Sequence, residues 1–147
     1  MYLAKRGHEV GGCDTYARRD WVQEMGSQSA TPIRRMTERI EAFHETLGVN
    51  LDFRKGDLCD FNFVLNCFKT FRPECIVHLA EMPSAPYSMI DVQHCSRTMT
   101  NNLIGTINVL YAMHEACPDS HLLKLGTMGE YGTPNIDIPE GFFTIEY

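Results

Sequence analysis

Cys75-Ile76-Val77-His78-Leu79-Ala80 is a nearly continuous apolar run. Strands buried on both faces carry such runs, because neither side of the sheet meets water. Before it, Phe61 to Phe71 reads as an amphipathic helix. After it, residues 99 to 116 read as a long helix, with Leu103, Ile107, Leu110 and Tyr111 marking its inner face. His121-Leu122-Leu123-Lys124-Leu125-Gly126-Thr127 then reads as another strand. Toward the N-terminus, Leu51 to Asp57 alternates like a strand, and Glu9-Val10-Gly11-Gly12-Cys13-Asp14 is a short strand ending in an acid. Between those two, residues 32 to 47 carry Ile33, Met36, Ile40, Phe43 and Leu47 at helical spacing, with Thr31 as N-cap and Pro32 in the first turn. Strands alternating with helices predict parallel βαβ units in a doubly wound α/β sheet.

The composition sets outer limits. A chain of 147 residues supports one domain, and 44% hydrophobic with 22% charged residues argues against disorder. Thirteen Lys and Arg against nineteen Asp and Glu leave a net charge of -6, which argues against non-specific binding to nucleic acid, a task that needs a basic face. The six cysteines have no CxxC pairing and read as reduced, small buried hydrophobes. No His or Cys pair has a structural-zinc spacing, so no metal is expected. No apolar run approaches the roughly 18 residues of a membrane span, and the start lacks a signal peptide's apolar region. A cytoplasmic chain without membrane partners is the expectation.

Tyr2 to Arg6 suit a helix that ends at Gly7, where a C-terminal cap belongs. Two turns alone do not hold in water. They read as the last turns of a helix whose beginning is absent, and the chain reads as a fragment.

In open α/β sheets, ligands bind beyond the carboxyl ends of the strands. That rule selects Asp14, Asp57 and the stretches after Ala80 and Gly126. Asp14 stands where a dinucleotide fold places its ribose-binding acid, or it caps a turn. Arg18 and Arg19 face phosphates or solvent. Gly11-Gly12 lies inside a strand and is no phosphate cradle. Glu81-Met82-Pro83-Ser84-Ala85-Pro86-Tyr87-Ser88-Met89 is held out of helix by two prolines, and is either a ligand-facing loop or a plain connection. Gly126-Thr127-Met128-Gly129-Glu130-Tyr131-Gly132-Thr133-Pro134-Asn135 offers three glycines, hydroxyls and one carboxylate at a strand end.

Three runs carry a resemblance: Ser84 to Asp91, Asn101-Asn102-Leu103-Ile104-Gly105-Thr106, and Lys124 to Ile138. On these the chain resembles the extended short-chain dehydrogenases/reductases, the nucleotide-sugar epimerases and dehydratases, over nearly its whole length. Ordinary dehydratases of that family read Thr-Asp-Glu-Val-Tyr-Gly where this chain reads Thr127-Met128-Gly129-Glu130-Tyr131-Gly132. The difference points to the sulfosugar-forming branch, which converts UDP-glucose and sulfite to UDP-sulfoquinovose with bound NAD.

The resemblance implies a Rossmann-like, incomplete doubly wound parallel sheet, with residues 1 to 147 as one partial NAD-binding domain. It implies that Asp14 binds the adenosine ribose, with Arg18 and Arg19 as the basic pair beyond it. It puts Asp57 and Leu58 in the adenine pocket, and Leu79, Ala80 and Glu81 under the cofactor. Asn102 ties the central helix to the cofactor side. Thr127 bonds the sugar's 4-hydroxyl, and Ser84 and Tyr87 bind substrate; Glu130, as the only carboxylate in its motif, is the candidate general acid/base. Partners are a UDP-glucose-type nucleotide sugar and sulfite, and the parent enzyme is a homodimer. The compartment is the cytoplasm, or the plastid stroma for a plant or algal source.

The family's first strand and GxxGxxG turn fall before Met1, and its YxxxK pair falls after Tyr147. The resemblance therefore implies a gap between the strand ending at Asp14 and the strand starting at Cys75, and a chain that is inactive and unstable alone. Met82 and Pro83 stand where plant-type relatives carry a glutamine and an arginine, which leaves the sulfur donor open. Another nucleotide-sugar epimerase or dehydratase is the alternative, and a non-catalytic nucleotide-binding or interaction module is the alternative of a different class.

Overall fold

The computed structural model describes residues 1 to 127 and residue 144. Its strands are β1 (Gly11–Asp14), β2 (Asp52–Lys55), β3 (Cys75–His78) and β4 (His121–Lys124). Its helices are α1 (Ala17–Glu24), α2 (Met36–Leu47), α3 (Phe61–Phe71), α4 (Ala85–Ser88), α5 (Val92–Met99) and α6 (Gly105–Ala116). A π-helical segment, Thr100–Ile104, joins α5 to α6.

The strands pair in two parallel ribbons. Gly11 lies opposite Asp52 and Asp14 opposite Lys55, while Cys75 lies opposite His121 and His78 opposite Lys124. β1 bonds to β2 alone and β3 to β4 alone among the described residues. The gap expected between β1 and β3 is there, so the α/β class and its parallel βαβ units hold.

The split sheet overturns two expectations of burial. β3 is not covered on both faces: Val77 within it is 50% exposed, and Leu79 just past its end is 61% exposed. With one neighbouring strand and one open edge, its side chains lack the cover a central strand receives. For the same reason Cys13 and Cys75 are exposed on their strands, and Cys95 is exposed on α5. All six cysteines are free thiols, and none is fully buried.

The core sits where α3 packs on α6. Val64, Val109 and Ala112 are buried there, with Leu58, Phe61, Phe68, Ile76 and Leu122 packed around them. This rotates α6 from the expected orientation. Leu103, Ile107, Leu110 and Tyr111 face solvent, and Gly105, Val109 and Ala112 face inward. The small Ala112 lets the α6 backbone approach α3 closely beside Val64, while Gly105 faces Leu58 in the turn before α3.

Local chemistry sets the boundaries. Gly7 caps a short 3-10 turn, Ala4–Arg6, at φ +85°. α2 begins at Met36 and not at Pro32, because the Glu38 carboxylate accepts the Arg35 N–H at 3.1 Å and starts the helix there. The prolines after β3 do not exclude helix: Ser84 caps one turn, α4, with its hydroxyl accepting the Tyr87 N–H at 3.3 Å. Pro86 fits because a first-turn N–H has no helical partner to lose. The helix α1, unread in the sequence, buries no residue, so it leaves no apolar stripe.

Candidate functional site

The carboxyl ends of β1, β2 and β3 carry the residues selected from sequence. At the end of β1, the exposed Asp14 turns Oδ1 to the Tyr16 N–H at 2.7 Å, and Thr15 Oγ1 accepts the Ala17 N–H at 3.1 Å. These short bonds hold Tyr16 at φ +67° and launch α1. Asp14 thus makes a turn while its carboxylate stays open to solvent. Arg19 donates to the Arg34 carbonyl at 2.8 Å, tying α1 to the segment before α2, while Arg18 is exposed.

At the end of β2, Asp57 Oδ1 accepts the Cys59 N–H at 2.8 Å. The Leu58 carbonyl accepts from Asn108 Nδ2 at 2.7 Å, which fixes this turn against α6. Gly56 precedes them with the Phe63 ring 2.3 Å from where a Cβ would stand.

Beyond β3 a polar cluster forms with β4 and α6. His78, 3% exposed, accepts the Ala80 N–H on Nδ1 at 3.3 Å, so the proton sits on Nε2, 3.2 Å from Thr106 Oγ1. Burial pushes its pKa below the usual 6.5, Glu81 opposing and Lys124 adding to the effect. Glu81 Oε1 lies 2.7 Å from Lys124 Nζ and accepts from Thr106 Oγ1 at 3.3 Å. This carboxylate bridges the ends of β3 and β4.

The π-helical segment brings two asparagines to the same loop. Asn102 Oδ1 accepts the Met82 N–H at 2.8 Å and its Nδ2 donates to the Met82 carbonyl at 3.2 Å. Asn101 Nδ2 donates to the Ala80 carbonyl at 3.3 Å. A π turn places one extra residue per turn, and such segments gather at functional sites.

Tyr87 is 1% exposed, so its hydroxyl is not presented to solvent. It donates to Glu24 Oε2 at 2.9 Å, and Arg97 donates to both of them. His94 Nε2 lies 3.4 Å from Glu24 Oε1, and its Nδ1 lies 2.6 Å from the Asp91 carboxylate. The Tyr87 hydrogen bond and the Arg97 charge hold the Glu24 carboxyl below its ordinary range. The His94 N–H groups do the same for Asp91.

Beside this cluster opens a cavity of about 670 Å³, bordered by Trp21, Asp57, Cys59, Arg97, Thr100 and Asn101. Of the residues selected from sequence, the structure brings Asp57 to this cavity, and sets Ala80 and Glu81 on the loop after β3 that Asn102 holds from the π-helical segment. Thr127 is exposed past β4; Glu130 lies outside the described residues. Trp21, Glu24, Arg97, His78 and Lys124 escaped the sequence reading. Their partners lie up to 73 positions away, and no local spacing signals such pairs.

A family model described as GDP-mannose 4,6 dehydratase matches residues 6–141. The chain belongs to this dehydratase family. Among curated proteins, it is 48% identical over 147 residues to the chloroplastic UDP-sulfoquinovose synthase of Spinacia oleracea, covering 100% of this chain and 30% of that protein. It is 46% identical over 143 residues to the UDP-sulfoquinovose synthase of Sulfolobus acidocaldarius, covering 97% of this chain and 36% of that one. The chain therefore spans about a third of the length of these two relatives. A solved UDP-glucose 4-epimerase from Bifidobacterium longum, in complex with NAD+ and UDP, superposes with TM-score 0.66 at 20% identity, over 92% of this chain and 34% of that one. The Stenotrophomonas epimerase with bound NAD gives 0.65 at 19% identity, over 91% and 34%. These two establish the fold. Among the described residues no helix is long and apolar enough to cross a membrane, and no acidic, His or Cys group suits a metal.

Proposed function

We propose that residues 1 to 147 form one partial dinucleotide-binding domain of an NAD-dependent enzyme that converts UDP-glucose and sulfite to UDP-sulfoquinovose. The observation that carries this is the 46–48% identity to two UDP-sulfoquinovose synthases, from a plant and an archaeon, over at least 97% of the chain. The geometry fits the cofactor: an exposed carboxylate at the end of β1, and the Asp57 turn bordering a cavity of about 670 Å³. A carboxylate at that strand end suits vicinal ribose hydroxyls, which donate.

In this reading Asp14 accepts from the adenosine ribose, with Arg18 and Arg19 beyond it. Asp57 and Leu58 border the adenine, and Leu79, Ala80 and Glu81 run under the cofactor. Asn102 holds the loop after β3 at its Met82 backbone. When bound, NAD supplies a reversible hydride acceptor. Thr127 bonds the sugar's 4-hydroxyl, Ser84 and the backbone around Tyr87 shape the substrate loop, and Glu130 moves a proton during loss of water across C5 and C6. The compartment in this reading is the cytoplasm, or the plastid stroma for a plant or algal source.

The parent enzyme pairs as a homodimer. Support comes from the exposed apolar stripe Leu103, Ile107, Leu110 and Tyr111, with Met99 beyond its end. Stripes of this kind mark protein interfaces.

The deciding experiment incubates the full-length protein that contains this chain with UDP-glucose, with and without sulfite. A sulfonated nucleotide sugar formed only with sulfite supports the reading. UDP-galactose, or a 4-keto-6-deoxy sugar formed without sulfite, selects another member of the family, and absence of any turnover with bound nucleotide selects a binding module.

A further inference from the structure

The helix α1 is held unusually. It buries no residue, and eight residues are too few for a helix to persist alone in water. Its polar ties to α4 and α5 converge on one carboxylate. Glu24 accepts from the Tyr87 hydroxyl and from Arg97 Nη1, both at 2.9 Å, and its other oxygen lies 3.4 Å from His94 Nε2. Arg97 only donates, so Glu24 is the acceptor that satisfies the buried Tyr87 hydroxyl. Trp21 lies one helical turn before Glu24, on the same face, with its ring 6.0 Å from that of Tyr87. Trp21 and Arg97 stand on the border of the cavity that Asp57 also lines. Two walls of that cavity, one on α1 and one on α5, thus meet through a single side chain.

We propose that Glu24 is a positioning residue that sets the spacing of α1 and α5, and so holds Trp21 as the aromatic wall against which the base end of a dinucleotide rests. This inference rests on the reading of the cavity as part of the cofactor site. A half-buried indole suits the task, since every base offers a flat face to an aromatic ring. Trp21 is the single tryptophan of these 147 residues, and subtracting a Trp21→Phe variant isolates its emission in the longer protein.

The test titrates NAD into the full-length protein containing this chain, by calorimetry and by tryptophan emission, with Trp21→Phe as the background to subtract. Trp21→Ala is expected to raise the NAD Kd about tenfold or more, the size of one lost stacking contact. Glu24→Ala is expected to raise it comparably and to shift Trp21 emission before any NAD is added. Glu24→Gln, which keeps an acceptor oxygen for Tyr87 and Arg97, is expected to restore most of both. Should Glu24→Ala fail to fold, Tyr87→Phe reads the same link through Trp21 emission and Kd. Wild-type binding with unchanged Kd in the Trp21 and Glu24 variants overturns the inference alone. No NAD binding by the wild type overturns the functional reading, and the inference with it.

Discussion

The side-chain amide of Asn102 pairs with the backbone of Met82 in both directions, accepting its N–H at 2.8 Å and donating to its carbonyl at 3.2 Å. Met82 is 7% exposed, so water does not replace these bonds. Asn102→Ala leaves two backbone groups unpaired and is expected to cost about 2–3 kcal/mol. Asn102→Asp keeps the acceptor and loses the donor, so it falls between the two. Denaturant unfolding of the full-length protein checks the order.

The buried His78 gives stability a pH dependence. Its folded pKa lies below the ordinary 6.5, so the unfolded chain binds the proton more readily. Stability is therefore full above about pH 6.5 and falls as pH drops through that value toward the folded pKa. Glu24 and Asp91, both held low, act in a separate window. Their contribution is present above their unfolded values near pH 4 and is lost below. Melting curves from pH 7.5 to 5 should show the first decline in wild type and lose it in His78→Gln. A decline that persists in the variant refutes the assignment to His78.

Gly56 is a packing glycine. An added methyl would meet the Phe63 ring at 2.3–2.5 Å, a separation no real contact allows. Gly56→Ala should destabilise by about 1–3 kcal/mol as the ring or the β2 end shifts. Gly105 offers the contrast, with Leu58 Cβ at an ordinary 3.4 Å, and its alanine variant should lie well below that cost. Thermal midpoints of the two variants decide the comparison.

Glu130 carries the proposed proton transfer. Glu130→Gln in the full-length enzyme should lower sulfite-dependent turnover by roughly 10²–10⁴, the usual worth of a positioned acid or base. NAD binding should stay at the wild-type level. Full turnover in the variant sinks the role.

The apolar stripe of α6 should govern association. Leu103→Ser combined with Ile107→Ser should move the full-length protein from dimer to monomer in sedimentation, without disturbing the inward Val109 and Ala112. A dimer that survives both changes places its interface elsewhere.

Much of the fold was legible because element order depends on local patterns. Phe61 to Phe71 alternates apolar and polar positions at helical spacing, and Asp60 caps it by accepting the Phe63 N–H at 3.2 Å. The four strands were found at their places for the same reason. What escaped depends on pairs distant in sequence. α1 shows no apolar stripe because its ties are polar, and Glu24 meets Arg97 across 73 positions. The inner face of α6 does not follow from residue bulk, since the small Gly105 and Ala112 turn inward with Val109 while Leu110 and Tyr111 stay exposed. At the site, Asp14 and Asp57 were legible from the rule about strand ends. Lys124 was not, because its partner Glu81 joins it only through the pairing of β3 with β4.

The π-helical segment Thr100–Ile104 makes chain length itself a constrained quantity. Removing one residue there would let α5 and α6 run on as one regular helix, turning α5 by about 100° and drawing it along the axis by about 1.5 Å. Arg97 would swing off the cavity and Asn102 would leave Met82. Substitutions in this stretch are open to compensation by neighbours, but a single-codon deletion has no such remedy. Among related chains, insertions and deletions should therefore avoid these five positions even where the residues themselves vary.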